Sequence, residues 1–322
     1  MKINKIYVKS KNTRYTIIIG KGSLGILKKQ LNKLCPRTKK VGLILDKNIP
    51  NHFKIKIKKQ LKKYNVYVYE FLPNERLKSF KKANSLLESL IKNNLSRNDT
   101  IITVGGGIIG DFGSFVASIY KRGINLISIP STLLAQVDSS IGGKTGVNTK
   151  EGKNLIGSFY QPRMVIVDTE FLKSLPKREI ICGYGEIFKH SLIMNKSFYK
   201  FLDENSSKIL RLQSPFIEKA ILESCKIKKK IVEQDEKEKG KRKMLNFGHT
   251  FAHAYEAALG YSKKLNHGEA VILGIISALK FSLDIKLIKL KEYNQIIKHI
   301  IKMKLPSNIQ NYFSLKNFNT IL

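Results

Sequence analysis

Hydrophobic and polar residues form two kinds of pattern along the first half of the chain. Short segments rich in branched apolar residues predict six β-strands: YTIIIG, VGLILD, VYVYEFL, TIITVGGG, INLISIP and MVIVDT. Between some of them, as in LKSFKKANSLLESLIKNN, apolar residues recur every three or four positions, which predicts helices. Strands that alternate with helices are typical of a Rossmann-like α/β domain with a mostly parallel sheet.

The pattern changes after the sequence SLP at residues 174–176. From Lys177 onward almost every segment has helical periodicity, and no segment has a convincing strand pattern. We therefore predict two consecutive domains, an α/β N-terminal domain over residues 1–176 and an all-α C-terminal domain over residues 177–322.

Composition narrows the class of protein. A hydrophobic fraction of 42% over 322 residues is sufficient for a full core. No apolar run is long enough to cross a bilayer, and the first residues, MKINKIYVKSKNTRYT, lack the apolar centre of a signal peptide. Cys35, Cys182 and Cys225 are scattered, without a CxxC pair, which favours a reducing compartment. These features predict a cytoplasmic protein without a membrane partner.

The net charge of +35 would suit an anionic partner. The basic residues are mostly lysines spread along the whole chain, however, and no RNP aromatics, KH loop or zinc finger accompany them. We interpret the charge as a general compositional bias and predict no nucleic-acid partner. A positive field of this kind would still attract an anionic substrate.

A glycine-rich turn follows the fourth predicted strand. Gly105, Gly107 and Gly110 satisfy GxGxxG, in which glycines let the backbone approach a pyrophosphate at a helix N-terminus. The usual acidic residue about 20 positions downstream is absent, and Asp46, at the end of VGLILD, is the alternative partner for a ribose hydroxyl. The pattern indicates nucleotide binding of an unusual α/β type, or a tight turn only.

The segment QVDSSIGGKTGVNTKEGKNLIG, residues 136–157, is polar and rich in glycine, which predicts a long functional loop or a solvated linker. Asp138, Lys144, Lys153 and Asn154 are groups suited to a phosphorylated polyol, because cations bind phosphate and polar groups bind hydroxyls.

Three of the six histidines form the candidate metal site. His249 and His253 are four residues apart on a helical pattern, and His267 begins the next helix, HGEAVILGI. A carboxylate is a natural third ligand, with Glu186 and Glu269 as candidates. Spacing alone does not decide which two histidines bind a metal, or whether all three are core or capping residues.

Together these motifs resemble the 3-dehydroquinate synthase family of the sugar phosphate cyclase superfamily. The matching blocks occur in order over about residues 40–275: NERLKS, GGGIIGD, KRGI, IPSTLLAQVDSSIGGKTGVN, GKNLIG, GYGEIFKH, VEQDEKEKGKRKMLNFGHT and HGEAV. The resemblance implies a dehydroquinate synthase-like fold.

The resemblance also implies the binding residues. The zinc ligands, which Co²⁺ or another divalent ion would also accept, would be Glu186, His249 and His267. The NAD-binding residues would be Asp46, Glu75, Lys78, Gly106, Gly107, Asp111, Ser131, Thr132, Lys144 and Lys153, flanked by Phe171, Ser174, Leu175 and Glu179. The substrate-binding and catalytic residues would be Asp138, Lys144, Asn154, Lys189, Lys228, Arg242, Asn246 and His253. Arg122 matches an arginine that reaches the phosphate pocket of the partner subunit, which implies a homodimer.

The activity implied is that of a carbon–oxygen lyase acting on phosphates. The family converts 3-deoxy-D-arabino-heptulosonate 7-phosphate into 3-dehydroquinate and phosphate, in the shikimate pathway to chorismate and the aromatic amino acids. Its steps are oxidation by NAD, phosphate elimination, reduction and an intramolecular aldol closure. Zinc polarises the hydroxyl that is oxidised. Lys228 and Arg242 would bind the substrate carboxylate, and Lys144, Asn154, Asn246 and His253 the phosphate.

Two departures from the family pattern stand out. Ser131 occupies a position that is usually threonine. The family also continues into a lysine-bearing DKK segment, whereas this sequence ends in NYFSLKNFNTIL, with Lys316 as the one lysine in that stretch. The alternatives to the main interpretation are an impaired enzyme, another sugar phosphate cyclase, and a basic binding protein with an inactive enzyme fold.

Overall fold

The structure, a computed structural model, describes residues 3–10, 13–260, 262 and 264–313. The chain divides into two compact units: the first comprises Met1–Leu175 with Lys228–Lys237, and the second comprises Pro176–Ile227 with Glu238–Leu322. The predicted division into residues 1–176 and 177–322 stays a prediction. It did not foresee that Lys228–Lys237 belong to the first unit. Lys316 lies outside the described residues.

A seven-stranded sheet forms the centre of the first unit. Its strands are β1 Asn4–Lys9, β2 Arg14–Ile19, β3 Lys40–Asp46, β4 Asn65–Phe71, β5 Thr100–Gly105, β6 Asn125–Pro130 and β9 Met164–Val167. The spatial order is β1-β2-β9-β6-β5-β3-β4, in which β1 pairs antiparallel with β2 and the other neighbours pair parallel. The six predicted strands and the mostly parallel sheet are confirmed.

Helices cover both faces of this sheet. They are α1 Leu27–Leu34, α2 Asn51–Gln60, α3 Phe80–Lys92 and α4 Gly107–Ile119. Leu43 and Leu45 of β3 belong to the apolar cluster with α1 and α2, whereas Ile44 belongs to the cluster with α3 and α4. Successive residues of a strand point to opposite faces, so β3 needs an apolar residue at nearly every position.

The strand order reverses beside β3, since β4 and β5 flank it on either side. In open parallel sheets, ligands bind at such a switch point, outside the carboxyl ends of the strands. Asp46 ends β3 and Gly105 ends β5. The candidate nucleotide residues therefore lie where this architecture favours a ligand.

The prediction of one long irregular loop over residues 136–157 is wrong in part. A short π-helical turn spans Ala135–Ser139, and β7 Lys144–Val147 pairs antiparallel with β8 Ile156–Phe159. Gly146 and Gly157 face each other in this hairpin, and a Cβ on Gly157 would lie 2.1 Å from the carbonyl oxygen of Thr145. Polar, glycine-rich strands of four residues lack the apolar alternation that predicts a strand.

The second unit is helical, as predicted, and no strand occurs in its described residues. Its helices are α5 Lys177–Met194, α6 Lys196–Leu210, α8 His249–Ala258, α9 His267–Asp284 and α10 Leu290–Lys302, with the first part of α7 Phe216–Gln234. None of the helices in the described part of the chain combines the length and the apolar character that a bilayer crossing demands.

Candidate functional site

The glycine turn between β5 and α4 is closely packed against neighbouring side chains. A Cβ on Gly106 would lie 3.0 Å from Cγ2 of Thr132, and one on Gly107 would lie 3.2 Å from Oγ of Ser139. Helix α4 begins at Gly107, so its first amide groups point out of this turn. Glycines that keep the backbone bare at a helix N-terminus fit a pyrophosphate group.

Two acidic residues lie near the carboxyl ends of neighbouring strands, Asp46 as the last residue of β3 and Glu75 in the segment after β4. Asp46 is buried at the end of β3, and its Oδ1 accepts a hydrogen bond from the amide of Asn48 at 2.8 Å. Burial raises the pKa of Asp46, which the Asn48 amide and the charge of Lys54 partly oppose. Glu75 accepts a hydrogen bond from Nδ2 of Asn148 at 2.7 Å. Both carboxylates are acceptors of the kind that ribose hydroxyls need.

Lys78 contacts both α4, the helix that begins at the glycine turn, and the β7–β8 hairpin. Its buried Nζ donates to Oδ2 of Asp111, in α4, at 2.7 Å and also contacts Oδ1 of Asn154. The amide of Asn148 donates to the carbonyl of Lys78 at 2.7 Å, and Asn154 has a left-handed backbone with φ of 58°. The structure therefore brings these predicted residues together in one hydrogen-bonded network.

The remaining candidates of this unit differ in their surroundings. The amide of Ser131 donates to the carbonyl of Gly105 at 2.9 Å, so the serine sits beside the glycine turn. Lys144, at the start of β7, is exposed and Lys153 is half-buried. Phe171 is fully buried and stacks on Phe53 with ring centroids 4.1 Å apart, so its side chain belongs to the core.

The other residues predicted to flank the cofactor, Ser174, Leu175 and Glu179, follow Phe171 closely in the sequence. Ser174 Oγ donates to the carbonyl of Phe171 at 2.7 Å, and Leu175 ends the first unit. Glu179 lies in the first turn of α5 in the second unit, where Nδ2 of Asn266 donates to it at 3.3 Å and burial raises its pKa.

Lys228 lies in the α7 segment of the first unit and is buried. Its Nζ donates to the carbonyl of Asp138 at 2.6 Å and to Oδ1 of the same residue at 2.5 Å. The carboxylate offsets the cost of burying the ammonium group. Sequence reasoning named both residues but not this contact, which joins positions 90 residues apart.

In the second unit, Glu186, His249 and His267 come together from α5, α8 and α9. One ligand atom from each lies within 4.8 Å of the other two, and Nε2 of His249 is 3.7 Å from Oε1 of Glu186. Glu186 is 1% exposed, and neither of its carboxylate oxygens has a hydrogen-bond partner, although Lys189 Nζ forms an ion pair with it. A buried carboxylate next to two imidazoles fits a divalent cation.

Glycines bring these helices close together. A Cβ on Gly185 would lie 2.9 Å from the carbonyl oxygen of Gly268, and one on Gly268 would lie 2.3 Å from the Cα of Cys182. Likewise, a Cβ on Gly274 would lie 2.1 Å from the carbonyl oxygen of Gly248. Each of the three candidate ligands is a sequence neighbour of one of these glycines, so backbone contact between helices sets the spacing of the ligand groups.

Glu269, the other carboxylate considered as a ligand, has a different role. It accepts hydrogen bonds from Nε and Nη2 of Arg178 at 2.8 and 2.6 Å, and from the amide of Asn266 at 2.9 Å in a capping box of α9. Both oxygens are therefore engaged. The structure favours Glu186 over Glu269.

Glu256 is a residue that sequence reasoning missed. Its Oε2 is 3.1 Å from Nδ1 of His267, and with His253 it forms a second trio of ligand-type groups within 4.8 Å. Burial disfavours the charged form of His267, but the hydrogen bond and charge of Glu256, with the charge of Glu186, outweigh it and raise the pKa of this histidine. Its position seven residues after His249 on the same helix pattern was the available signal.

Other predicted residues lie in the same unit. Arg242 is 2% exposed and Lys189 is 1% exposed, so both cations are buried. Nδ2 of Asn246 donates to Oε1 of Glu238 at 3.0 Å, which adds Glu238 as a second acidic residue absent from the prediction. Ring centroids of His253 and His249 are 5.5 Å apart.

Comparisons with known proteins match this arrangement to one family. A family model described as 3-dehydroquinate synthase N-terminal matches residues 68–182, and one described as 3-dehydroquinate synthase C-terminal matches residues 183–322. The 3-dehydroquinate synthase of Pelagibacter ubique is 53% identical over 322 residues, which cover 100% of this chain and 88% of that protein. The enzyme of the same name from Alkaliphilus metalliredigens is 41% identical, over 96% of this chain and 86% of its own length.

Solved structures agree on the fold. A 2-deoxy-scyllo-inosose synthase complexed with carbaglucose-6-phosphate, NAD⁺ and Co²⁺ is similar with a TM-score of 0.88 and 26% identity, over 99% of this chain and 86% of that one. A 2-epi-5-epi-valiolone synthase from Streptomyces hygroscopicus with NAD⁺ and Zn²⁺ has a TM-score of 0.84 over 98% and 87% of the two chains, and its 20% identity supports the fold alone.

Proposed function

The chain belongs to the 3-dehydroquinate synthase family, and we propose that it converts 3-deoxy-D-arabino-heptulosonate 7-phosphate into 3-dehydroquinate and phosphate. The observation that carries this proposal is the trio of Glu186, His249 and His267, in which a buried carboxylate and two half-buried imidazoles bring one ligand atom each within 4.8 Å of the others. The overall reaction breaks a carbon–oxygen bond to phosphate, which makes the enzyme a lyase.

Glu186, His249 and His267 would hold the divalent ion. Two imidazole nitrogens and one carboxylate oxygen are the donors of a catalytic zinc site, with a fourth position open for substrate. When bound, such an ion acts as a Lewis acid that lowers the pKa of a substrate hydroxyl. Zn²⁺ is our first choice and Co²⁺ the alternative, which the Co²⁺ bound to the similar inosose synthase supports.

The glycine turn after β5 would hold the pyrophosphate of NAD. When bound, NAD would supply reversible hydride transfer with the substrate. Gly106 and Gly107 keep the backbone accessible. Asp46 and Glu75 would accept hydrogen bonds from ribose hydroxyls. The other residues proposed to contact or flank the cofactor are Lys78, Asp111, Ser131, Thr132, Lys144, Lys153, Phe171, Ser174, Leu175 and Glu179.

Cationic and amide groups would orient the substrate. Lys228 and Arg242 suit its carboxylate, because both are buried cations and charge-assisted hydrogen bonds to a carboxylate are stronger than those to a neutral polyol. Lys189, beside Glu186, favours the ionised form of the reacting hydroxyl. The residues proposed for the phosphate are Lys144, Asn154, Asn246 and His253, and Asp138 holds Lys228 in place.

We also propose that the protein is a cytoplasmic homodimer in which Arg122 serves the partner's phosphate pocket. Arg122 lies in the turn before β6, where Lys121 and Arg122 have φ of 48° and 63° and Gly123 has φ of 112°. Non-glycine residues rarely adopt such angles, and two in succession are a costly arrangement that suits a side chain held for function.

The test is phosphate release from 3-deoxy-D-arabino-heptulosonate 7-phosphate with NAD and Zn²⁺, before and after chelation. We expect release that stops on chelation, resumes with metal and yields dehydroquinate. No release from folded protein loaded with NAD and metal would contradict the proposal.

The second candidate is a cyclase acting on a carboxylate-free sugar phosphate, which the TM-score of 0.88 with the inosose synthase keeps open. Assaying glucose 6-phosphate in parallel separates the two, since Lys228 and Arg242 predict that it is not turned over. Turnover of glucose 6-phosphate alone would favour the second candidate.

A further inference from the structure

A cleft of about 610 Å³ opens in the first unit, and four arginines line it: Arg37, Arg97, Arg122 and Arg163. They precede the strands β3, β5, β6 and β9, which are neighbours in the sheet. The cleft therefore lies at the edge where the parallel strands begin, opposite the edge that carries Asp46 and the glycine turn. Nothing in the proposed reaction uses Arg37, Arg97 or Arg163.

The cleft is rich in arginine, although most basic residues of the chain are lysines. The protein has 50 lysines and nine arginines, so roughly one cation in seven is arginine. The residues that line the cleft include four arginines and neither a lysine, an aspartate nor a glutamate. Arginine differs from lysine in its planar fork of donors, which binds an oxyanion through two parallel hydrogen bonds. The cleft therefore has the side chains suited to bidentate binding of an oxyanion such as phosphate.

The arginines of the cleft have few polar contacts within the part of the chain that the structure describes. Among the residues that the structure describes, no carboxylate forms an ion pair with any of the four. Nε of Arg163 donates to Oδ1 of Asn125 at 3.1 Å, which uses one of its five donors. Asp99, the buried acid just before β5, instead accepts hydrogen bonds from the amides of Lys39 and Lys40 at 2.9 and 2.8 Å.

The rim of the cleft is built from an ordered, strained turn. Lys121 and Arg122 have positive φ, and the hydroxyl of Tyr160 donates to the carbonyl of Ile124. A Cβ on Gly123 would lie 3.1 Å from the Tyr160 hydroxyl oxygen, so the turn and the tyrosine are in direct contact. Strain of this kind persists where surrounding contacts enforce it, and it is frequent at ligand sites.

We propose that this cleft binds a phosphate-type dianion, free or as the ester of a small molecule. Arg37, Arg97 and Arg163 carry the site, so the proposal does not depend on the role of Arg122 in the partner's pocket. Clustered guanidinium groups without acids repel one another, and a dianion that joins them removes that repulsion while it gains charge-assisted hydrogen bonds.

The test is an NMR titration of the protein loaded with NAD and Zn²⁺ and labelled with ¹⁵N at the arginine Nε positions. Nine arginines give at most nine signals, which arginine-to-lysine variants assign. Inorganic phosphate and glycerol phosphate are added in separate arms, which distinguishes a free anion from an ester. We expect the signals of Arg37, Arg97 and Arg163 to saturate with one shared Kd in at least one arm.

Arg97→Lys keeps the charge and removes the fork, so the shared Kd should rise at least about tenfold, close to the cost of one charge-assisted hydrogen bond. Arg14→Lys is the matched control, exposed in the same unit and outside the cleft, and should leave Kd unchanged. Signals that stay unaffected would overturn the proposal, and so would shifts shared by Arg14 and reproduced by NaCl, which report screening only. Phosphate release, measured separately, should be the same for Arg97→Lys and the unmodified chain.

Discussion

At the scale of single residues, we expect the negative charge of Glu186 to determine whether the three helices bind a cation. Glu186→Gln keeps the shape of the side chain and removes the charge, so we expect divalent-metal affinity to fall by more than about 100-fold, beyond the loss typical of an outer-sphere substitution. Chelator competition with Zn²⁺ measures this. Glu269→Gln is the control, because Glu269 pairs with Arg178. This variant should lower the unfolding free energy by about 1–3 kcal/mol with little change in metal affinity.

We expect Glu256 to affect metal binding indirectly, through its contact with the proposed ligand His267. Because its carboxylate faces Nδ1 of His267 at 3.1 Å, it should keep the proton on that nitrogen and direct Nε2 to the metal. Glu256→Gln should weaken metal binding by about 10–100-fold. The visible spectrum of the Co²⁺-loaded variant should also change, because the orientation of the imidazole changes. An unchanged spectrum with unchanged affinity would show that Glu256 does not position His267.

At the scale of elements, the contact between α5 and α9 depends on the missing side chain of Gly268. Gly268→Ala would place a Cβ 2.3 Å from the Cα and carbonyl oxygen of Cys182, so the helices must separate. We expect the unfolding free energy to fall by about 1–3 kcal/mol or more and metal affinity to fall with it. Gly110→Ala, in α4 with nothing within 4 Å, should be neutral or stabilising by about 0.5–1 kcal/mol. Urea unfolding and chelator competition test both variants.

Helices α5, α6 and α10 also meet at a buried histidine whose protonation couples to stability. Nδ1 of His299 is 2.8 Å from Asp203 and Nε2 is 2.9 Å from the Tyr184 hydroxyl. Burial lowers the pKa of His299, although Asp203 opposes this. The unfolded chain therefore binds the proton more readily, and stability should decrease as pH falls below about 6.5 toward the lowered folded pKa. Urea unfolding of metal-free protein from pH 8 to 5 should show a smaller slope for His299→Gln; equal slopes would contradict this.

Elements with a clear apolar pattern were predictable, whereas a glycine-rich hairpin and contacts between distant segments were not. β3 is a short run of mostly apolar residues, and the apolar residues of α3 recur every three to four positions, so local sequence defines both elements. The hairpin β7–β8 lacks an apolar face, and the assignment of Lys228–Lys237 to the first unit depends on contacts distant in sequence. The same holds for the site: histidine spacing indicated a metal and the family resemblance implied Glu186, but spacing alone left Glu186 and Glu269 open. The contact of Arg178 with Glu269 joins positions 91 residues apart and is visible only in the structure.

At the scale of the whole molecule, charge and assembly are linked. Each chain carries +35, so two copies repel each other at long range, and added salt screens this repulsion. The proposed homodimer should therefore exchange subunits faster at low ionic strength and associate more tightly as salt is raised. This provides a way to form mixed dimers from two variants.

Mixed dimers test whether Arg122 acts in the partner's site. Arg122→Gln and Glu186→Gln chains should each be nearly inactive alone, the first without the phosphate contact and the second without the metal. If Arg122 acts across the interface, a mixed dimer has one site with both defects and one intact site. Random exchange at low salt, followed by assay at higher salt, should then restore about a quarter of the unmodified activity, since half the dimers are mixed and each has one working site. If Arg122 acted within its own chain, every site would keep one defect, and the activity of the mixture would stay at the average of the two variants.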